Sequence, residues 1–220
     1  MIEEFALLAP LDVADRQKVL AATRRRKFPR DAVVFWAGDP GDSLHLVARG
    51  HVAAQINTPR GDVATVRILG PGEHFGELAI ASPGPRNATM RALTPLETLV
   101  IGFEDFAALR RDPAIENVFV HALATEIRRL ASALTDALYL PASDHLWKRL
   151  ATVEAVFAGT REPTVLPLTQ SMFATLAGVT RQTANKFLDE AESLGVVRRD
   201  ARGTLAVTDR AALQERARLR

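Results

Sequence analysis

The chain has 220 residues, of which 47% are hydrophobic and 25% charged, a composition typical of a globular protein that buries a substantial core. It contains no cysteine, which excludes disulfides, thiolate-held iron–sulfur clusters and cysteine nucleophiles, and its formal net charge of +2 is too small to indicate a nucleic-acid partner by itself. Because the sequence shows neither a signal peptide nor an apolar run that could span a membrane, we expect a cytoplasmic protein with no membrane partner.

The segment from residue 32 to residue 103 predicts short β-strands separated by turns. Apolar runs alternate there with clusters of glycine, proline and aspartate. The runs occupy residues 32–36, 44–47, 52–56, 63–69, 90–93 and 96–101, and the turns occupy residues 38–42, 59–62 and 70–72. Runs of this length and spacing are typical of an antiparallel sandwich or barrel.

A long helix is predicted after these strands. Pro113 can occupy the first helical turn, and the chain then runs to Leu140 without a glycine or another proline. Apolar residues recur at spacings of three and four, the pattern of a coiled-coil seam, at Val120, Leu123, Ile127, Leu130, Leu134 and Ala137. The helix could pack on its own barrel or against a second copy. The narrowness of the seam favours a parallel homodimer. Pro141 ends this helix, and residues 142–158 predict another.

A helix-turn-helix is predicted in the C-terminal part of the chain. A short helix over residues 170–177 is followed by Gly178, which permits a tight turn, and by Thr180, which can cap a second helix over residues 181–194. Gly195 then stands where glycine commonly follows a helix. An ordinary helical hairpin is the alternative, but these features agree at the offsets that a DNA-binding unit requires.

The second of these helices carries polar side chains that suit DNA. Arginine can donate two hydrogen bonds to guanine, and glutamine or asparagine can pair with adenine. The candidate base contacts are Arg181, Gln182, Asn185 and Lys186, with the hydroxyls of Thr180 and Thr183 as candidate phosphate contacts. Residues 196–207 predict a β-hairpin, the wing of a winged helix. Its candidate phosphate contacts are Arg198, Arg199 and Arg202.

Two neighbouring segments of the barrel carry chemistry suited to an anion. Residues 72–79 read GEHFGELA, and residues 83–89 read PGPRNAT. Backbone N–H groups of a short turn can hold an anion, and Arg86 supplies a bidentate fork for phosphate oxygens. The carboxylate of Glu77 can accept a hydrogen bond from a ribose hydroxyl. The alternative is a Glu–Arg pair that merely braces two loops.

These segments resemble the phosphate-binding cassette of the CRP/FNR (catabolite activator protein) family of bacterial transcription regulators. The cassette resemblance lies in FGELA at residues 75–79 and PRNAT at residues 85–89. In addition, GDPGDS at residues 38–43 resembles a barrel turn of the family, and LAGVTRQT at residues 176–183 resembles the entry to its recognition helix. The resemblance runs in order from about residue 7 to residue 213.

The resemblance implies an α+β fold in three parts. Residues 1–112 would form a cyclic-nucleotide-binding-type β-barrel (jelly roll), residues 113–140 a dimerisation helix, and residues 141–220 a winged helix-turn-helix. It also implies a homodimer that binds an inverted repeat in double-stranded DNA, contacts RNA polymerase, and responds to a small effector such as cyclic AMP. On this interpretation the chain is not an enzyme and requires no cofactor or metal.

The family pattern also implies the ligand contacts, with two departures in this chain. The implied ligand-binding residues are Gly76, Glu77, Leu78, Ala79, Arg86 and Asn87. Cyclic-AMP binders of the family usually carry Ser or Thr at the position of Asn87, although Asn can still donate to a phosphate oxygen. The purine-contacting polar residues align with Leu130 and Ala131, which cannot hydrogen-bond a purine. The pocket could therefore hold a different nucleotide or be degenerate.

Other functions remain as alternatives at this point. Five histidines are present, and a histidine is the usual haem ligand, so a haem- or redox-sensing regulator of the same fold is one alternative. An enzyme is disfavoured because no Ser/His/Asp constellation, metal-ligand spacing or phosphate-transfer loop is found in the sequence. A cyclic-nucleotide-binding module that regulates a separate domain is also disfavoured. The helix-turn-helix in this chain would itself carry the regulated activity, which is DNA binding.

Overall fold

The computed structural model describes residues 5–59, 61–82, 84–159, 163–200 and 203–218. The chain divides into two compact units. One comprises Met1–Ile56 with Leu69–Ala131, and the other comprises Asn57–Ile68 with Ser132–Arg220.

Antiparallel strands dominate the N-terminal half, as the sequence predicts. The strands are β1 (Arg24–Phe28), β2 (Val33–Phe35), β3 (Ser43–Arg49), β4 (Val52–Asn57), β5 (Val63–Leu69), β6 (His74–Phe75), β7 (Thr89–Ala92) and β8 (Leu96–Gly102). They form two sheets with the orders β1-β8-β3-β6 and β2-β7-β4-β5. Register shifts that mark bulges occur in the pairing of β2 with β7 and of β3 with β8.

Strand β3 is buried on both faces and so lies between two layers of core. Leu44 and Leu46 point into one apolar cluster, and Val47 points into the other, because side chains alternate along a strand. His45 is on the same face as Val47 and stacks on Phe75 at a ring-centroid distance of 4.8 Å. This second cluster, between the two sheets, is the interior of the barrel.

Helices close one side of the barrel. They are α1 (Val13–Ala21), the short α2 (Glu77–Ala81), α3 (Phe103–Leu109) and the start of α4 (Pro113–Tyr139). Phe119 of α4 packs edge-on against Phe106 of α3, with ring centroids 4.5 Å apart. Ile115 and Val118 join the same cluster, so one face of the first two turns of α4 packs on the barrel. The predicted long helix is thereby confirmed.

The C-terminal part forms the predicted winged helix-turn-helix. Its elements are α5 (Ala142–Phe157), β9 (Thr164–Leu166), α6 (Gln170–Leu176), α7 (Arg181–Ser193), β10 (Val197–Arg199), β11 (Leu205–Val207) and α8 (Arg210–Ala217). The strands form a sheet of order β10-β11-β9. The Phe187 ring of α7 lies 4.7 Å from Trp147 and 5.9 Å from Phe173, which holds α5, α6 and α7 around one aromatic centre.

Local sequence signals explain where each helix of the helix-turn-helix begins and where the turn between them lies. The Thr169 hydroxyl accepts a hydrogen bond from Met172 N, and the Thr180 hydroxyl accepts one from Thr183 N, so each helix has a side-chain N-cap. Gly178 has φ +66°, a conformation that glycine adopts without a Cβ penalty.

Candidate functional site

Arg86 is the buried charge at the centre of the predicted cassette. The residue is 4% exposed, although it lies in a loop between α2 and β7. Its Nη1 donates to the Ser43 carbonyl at 2.8 Å and to the Gly76 carbonyl at 3.2 Å. Its Nη2 donates to the Ser43 hydroxyl at 2.9 Å and to Asp42 Oδ1 at 3.1 Å. The guanidinium thus ties the cassette to the start of β3.

An aromatic ring completes the surroundings of this guanidinium. The Arg86 Cζ atom lies 4.0 Å from the centroid of the Phe35 ring, within the range of a cation–π contact. Its Nε is buried and has no hydrogen-bond partner among the described residues. The site therefore holds a buried cation with one N–H that no described residue satisfies.

Electrostatic contributions at Arg86 oppose one another. Burial lowers the pKa of Arg86, and the nearby carboxylates of Asp42, Asp39 and Glu77 act in the opposite direction. The paired Asp42 side chain is itself 80% exposed. Asp42 can consequently move into solvent and leave the guanidinium to another anion.

Gly76 makes the close approach of Arg86 to the cassette feasible. It is the N-cap residue of α2 and has φ +87°. A Cβ at this position would lie 2.7 Å from Arg86 Nη1 and 2.8 Å from the Ser43 carbonyl oxygen, both closer than real Cβ contacts. Only glycine fits both the backbone conformation and the space.

His45 lies beside this cluster and is neutral. Burial, followed by the charge of Arg86, lowers the pKa of His45 to about 3. Its Nδ1 lies 3.2 Å from the Thr98 hydroxyl, and its Nε2 lies 3.3 Å from the Ser43 hydroxyl. Both ring nitrogens are thus engaged within the barrel, an arrangement that does not favour His45 as a haem ligand. Within the described residues, no group of three or more His, Cys, Asp or Glu side chains could hold a metal ion.

A cavity of about 670 Å³ opens beside these residues. It shares Asp42 and Ser43 with the partners of Arg86, and His45 and Phe35 form part of its wall. Its volume falls in the range of small-molecule sites. Charged residues of both signs also line it, namely Arg24, Arg26, Asp39, Glu104 and Asp105.

The structure brings together only part of the predicted ligand set. Gly76 and Arg86 are in direct contact, and Glu77 is the first residue of α2. Leu78 is 47% exposed and Asn87 is also exposed. Ala79 belongs to α2, but its side chain is outside the described part of the chain.

Sequence reasoning missed three residues that contact Arg86. They are Phe35, Asp42 and Ser43, which lie more than 40 residues before it in the chain. Asp42 and Ser43 belong to a turn that resembles one of the family's barrel turns, and this was the available signal.

The predicted seam of α4 is largely exposed beyond its first turns. Leu123 is half-buried and Ala137 is exposed. Val120, Ile127, Leu130 and Leu134 are 56%, 66%, 52% and 60% exposed, respectively. Exposed apolar side chains at this density on one helix are typical of an interaction surface. Leu130 and Ala131, at the family's purine-contacting positions, are both exposed.

The candidate DNA-reading residues differ in their surroundings. Arg181, Gln182 and Lys186 are exposed on α7. Asn185 is half-buried, and its Oδ1 has no hydrogen-bond partner within the described ranges. The Thr180 hydroxyl caps α7 and lies 2.9 Å from the Thr183 hydroxyl.

The three predicted wing arginines also differ in their surroundings. Arg198 is exposed on β10. Arg199 donates to Asp189 and Glu192 of α7. Arg202 falls outside the described residues.

Models of two known domain families match the chain. A cyclic nucleotide-binding domain matches residues 25–112, and a Crp-like helix-turn-helix domain matches residues 128–216. The CRP-like cAMP-activated global transcriptional regulator of Mycobacterium tuberculosis is 32% identical over 196 residues, covering 87% of both proteins. The Cyclic AMP receptor protein of Thermus thermophilus is 31% identical over 209 residues, covering 94% of this chain and 93% of that protein.

The chain belongs to the CRP/FNR family of transcription regulators. The crystal structure of Thermus thermophilus catabolite activator protein is similar to this CRP/FNR protein, with a TM-score of 0.56 and 30% identity. That similarity covers 96% of this chain and 97% of the solved chain. The Crp-like helix-turn-helix domain and these two relatives belong to transcription regulators and not to enzymes, as the sequence predicts. Among the described residues of this CRP/FNR protein, no helix is both long and apolar enough to cross a membrane.

Proposed function

We propose that this CRP/FNR regulator is a homodimer whose affinity for specific DNA is controlled by a cyclic nucleotide bound in the barrel. The observation that carries the proposal is the buried Arg86 guanidinium beside the Gly76 N-cap of α2. A buried cation with an exposed and replaceable carboxylate partner suits an anionic ligand. The relatives from Mycobacterium tuberculosis and Thermus thermophilus are named for cyclic AMP, which supports this ligand class.

In the proposed complex, the cyclic phosphate takes the place of Asp42 on the Arg86 guanidinium. Charge-assisted contacts of arginine to phosphate are stronger than neutral hydrogen bonds. Glu77 accepts from the ribose hydroxyl, and Asn87, next to Arg86, donates to a phosphate oxygen. Gly76, Leu78 and Ala79 supply backbone N–H groups and shape.

The identity of the base is a separate part of the proposal. Leu130 and Ala131 lack hydrogen-bonding side chains, so a purine gains no polar partner from these two residues. Cyclic AMP is therefore proposed as the first ligand to test, together with cyclic GMP and cyclic di-GMP.

Calorimetric titration of the full chain with these three nucleotides tests the ligand assignment. Removal of one charge-assisted phosphate contact costs on the order of 1.5–3 kcal/mol, so Arg86→Ala should weaken binding at least about tenfold. Arg91→Ala, which removes one charge from β7 outside the cassette, is the matched control and should bind as the wild type does. Equal affinity in Arg86→Ala and the wild type would show that the cassette is assigned wrongly.

A degenerate pocket is the second candidate, and it rests on a specific feature. Arg86 already has protein partners in the Ser43 and Gly76 carbonyls and in Asp42. If the wild type binds none of the three nucleotides, the site is a structural brace, and the regulator responds to another signal or is constitutive.

The output of the regulator is proposed to be an inverted repeat in double-stranded DNA. In this assignment α7 enters the major groove, and its base-contacting side chains are those of Arg181, Gln182, Asn185 and Lys186. The hydroxyl of Thr180 contacts a phosphate. The same proposal places the protein in the cytoplasm and makes RNA polymerase its partner at promoters.

A further inference from the structure

Two consecutive arginines of the wing face opposite sides of their strand. Arg198 and Arg199 are neighbours on β10, and successive side chains of a strand point in opposite directions. Arg198 is exposed, whereas the side chain of Arg199 is only 21% exposed. The two side chains therefore lie in different surroundings, one exposed and one partly buried.

Arg199 is bound to two carboxylates of the recognition helix. Its Nε donates to Glu192 Oε2 at 2.9 Å, and its Nη2 donates to Asp189 Oδ1 at 2.6 Å and also to Glu192 Oε2. Its backbone N–H donates to Glu192 Oε1 at 3.0 Å. Asp189 and Glu192 are three residues apart on α7 and hence on one face of the helix. The start of the wing is thus held by main chain and side chain together.

This network also neutralises negative charge on the helix proposed to enter DNA. Hydrogen bonds from the backbone and side chain of Arg199 lower the pKa of Glu192, so this carboxylate is ionised at neutral pH. Two uncompensated carboxylates on α7 would repel phosphates. The pairing with Arg199 removes part of that repulsion.

We propose that Arg199 is a positioning residue that fixes the wing to the recognition helix, and that Arg198, not Arg199, contacts phosphate from β10. The inference rests on the proposed DNA-binding function. This assignment replaces the role that the sequence pattern predicts for Arg199, because the guanidinium of Arg199 is already paired with two carboxylates, whereas Arg198 is exposed.

Salt dependence of binding separates the two roles. The probe is a 40-base-pair duplex of random sequence, titrated with protein over a series of KCl concentrations. Each phosphate contact contributes about 0.9 to the slope of log affinity against log salt concentration. Arg199→Ala should weaken binding about threefold to tenfold without lowering the slope. Arg198→Ala, its neighbour on the other face, should lower the slope by about 0.9.

A charge exchange and a DNA-free measurement complete the test. The double variant with Glu192→Arg and Arg199→Glu restores an ion pair and should recover affinity relative to Arg199→Ala. In the free protein, Arg199→Ala should speed amide hydrogen exchange in β10 and β11, and Arg198→Ala should not.

A slope lowered by about 0.9 in Arg199→Ala, with exchange in the wing unchanged, would overturn the proposal. If the wild type binds no duplex at all, the proposed DNA-binding function fails. The exchange measurement then decides by itself whether Arg199 holds the wing.

Discussion

Lys148 of α5 forms an ion pair with Asp136 of α4, with its Nζ 2.8 Å from Oδ1 and 2.7 Å from Oδ2. The pair spans the break between the two helices, where Pro141 is the N-cap residue of α5. His145 N donates to the Pro141 carbonyl at 3.0 Å. The hydrogen bonds of α5 therefore begin at its N-cap residue. The junction between these helices is therefore fixed by an ion pair as well as by proline.

A fixed junction predicts a regulator that is partly active without its ligand. The ligand-dependent increase in DNA affinity, measured with and without cyclic AMP, should stay below about a hundredfold, equivalent to about 2.7 kcal/mol of coupling. Asp136→Asn should enlarge this ratio by freeing the junction, at a cost of no more than about 1 kcal/mol in unfolding free energy. Glu116→Gln, which breaks the partly exposed pair with Arg110, is the control. An increase above a hundredfold in the wild type would contradict the fixed junction.

Gly76→Ala should damage the cassette beyond the effect of backbone strain. The new Cβ would clash with Arg86 Nη1 and the Ser43 carbonyl oxygen, so we expect a loss of about 1–3 kcal/mol in unfolding free energy together with weaker nucleotide binding. Gly38→Ala is the matched control, because Gly38 has φ +91° but a Cβ added there would meet nothing within 4 Å. Equal destabilisation of the two variants in urea unfolding would show that the clash with Arg86 adds nothing to the loss of unfolding free energy.

The buried His45 predicts a decline of stability in acid. Its pKa in the folded state is about 3, below the ordinary value of 6.5, so the unfolded chain binds a proton that the folded chain does not. The resulting stability is fully present above pH 6.5 and is lost as the pH falls towards 3, at up to about 1.4 kcal/mol per pH unit.

His45→Gln keeps polar atoms beside Thr98 and Ser43 but removes the titration. Urea unfolding between pH 4.5 and 7.5 should give a shallower pH dependence in this variant than in the wild type. Parallel curves for the two proteins would mean that His45 is not the group responsible.

The sequence predicts those helices and strands whose ends are set by residues within or next to them. The helix predicted over residues 181–194 is observed as Arg181–Ser193, because its cap, its apolar spacing and Gly195 all lie within or beside it. Strand β1 was missed because Arg24–Phe28 carries charged side chains on both faces and has no apolar alternation. Helix α2 was missed because five residues after a glycine give too short a periodic pattern.

The sequence predicts only those site residues that lie close to one another in the chain. Gly76 and Arg86 lie within one motif, so the sequence predicts them together. The pairing of Arg86 with Asp42 and Ser43 is set by the packing of separate strands, which one-dimensional patterns do not contain. For the same reason the partners of Arg199 and the half-buried position of Asn185 emerge only from the structure.

Charged substitution in the α4 seam should dissolve the proposed dimer. Glutamate at both Leu123 and Leu134 would place charges in the apolar interface, so the double variant should be monomeric by light scattering while the wild type is dimeric. Val13→Glu is the control, since Val13 of α1 is 68% exposed but lies outside α4. A double variant that remains dimeric would mean that another surface forms the dimer.

Selection of binding sites from random DNA tests the central claim of a dimeric, sequence-specific regulator most directly. The wild type should recover an inverted repeat whose half-sites lie about one helical turn apart. Because Arg181 opens α7 and is exposed, Arg181→Ala should lose preference at one guanine position per half-site and cost about 1–3 kcal/mol on the preferred sequence. Lys186→Ala in the same selection distinguishes a second base contact from a phosphate contact, which would weaken all sequences alike. Recovery of no inverted repeat by the wild type, or an unchanged motif in Arg181→Ala, would contradict the account.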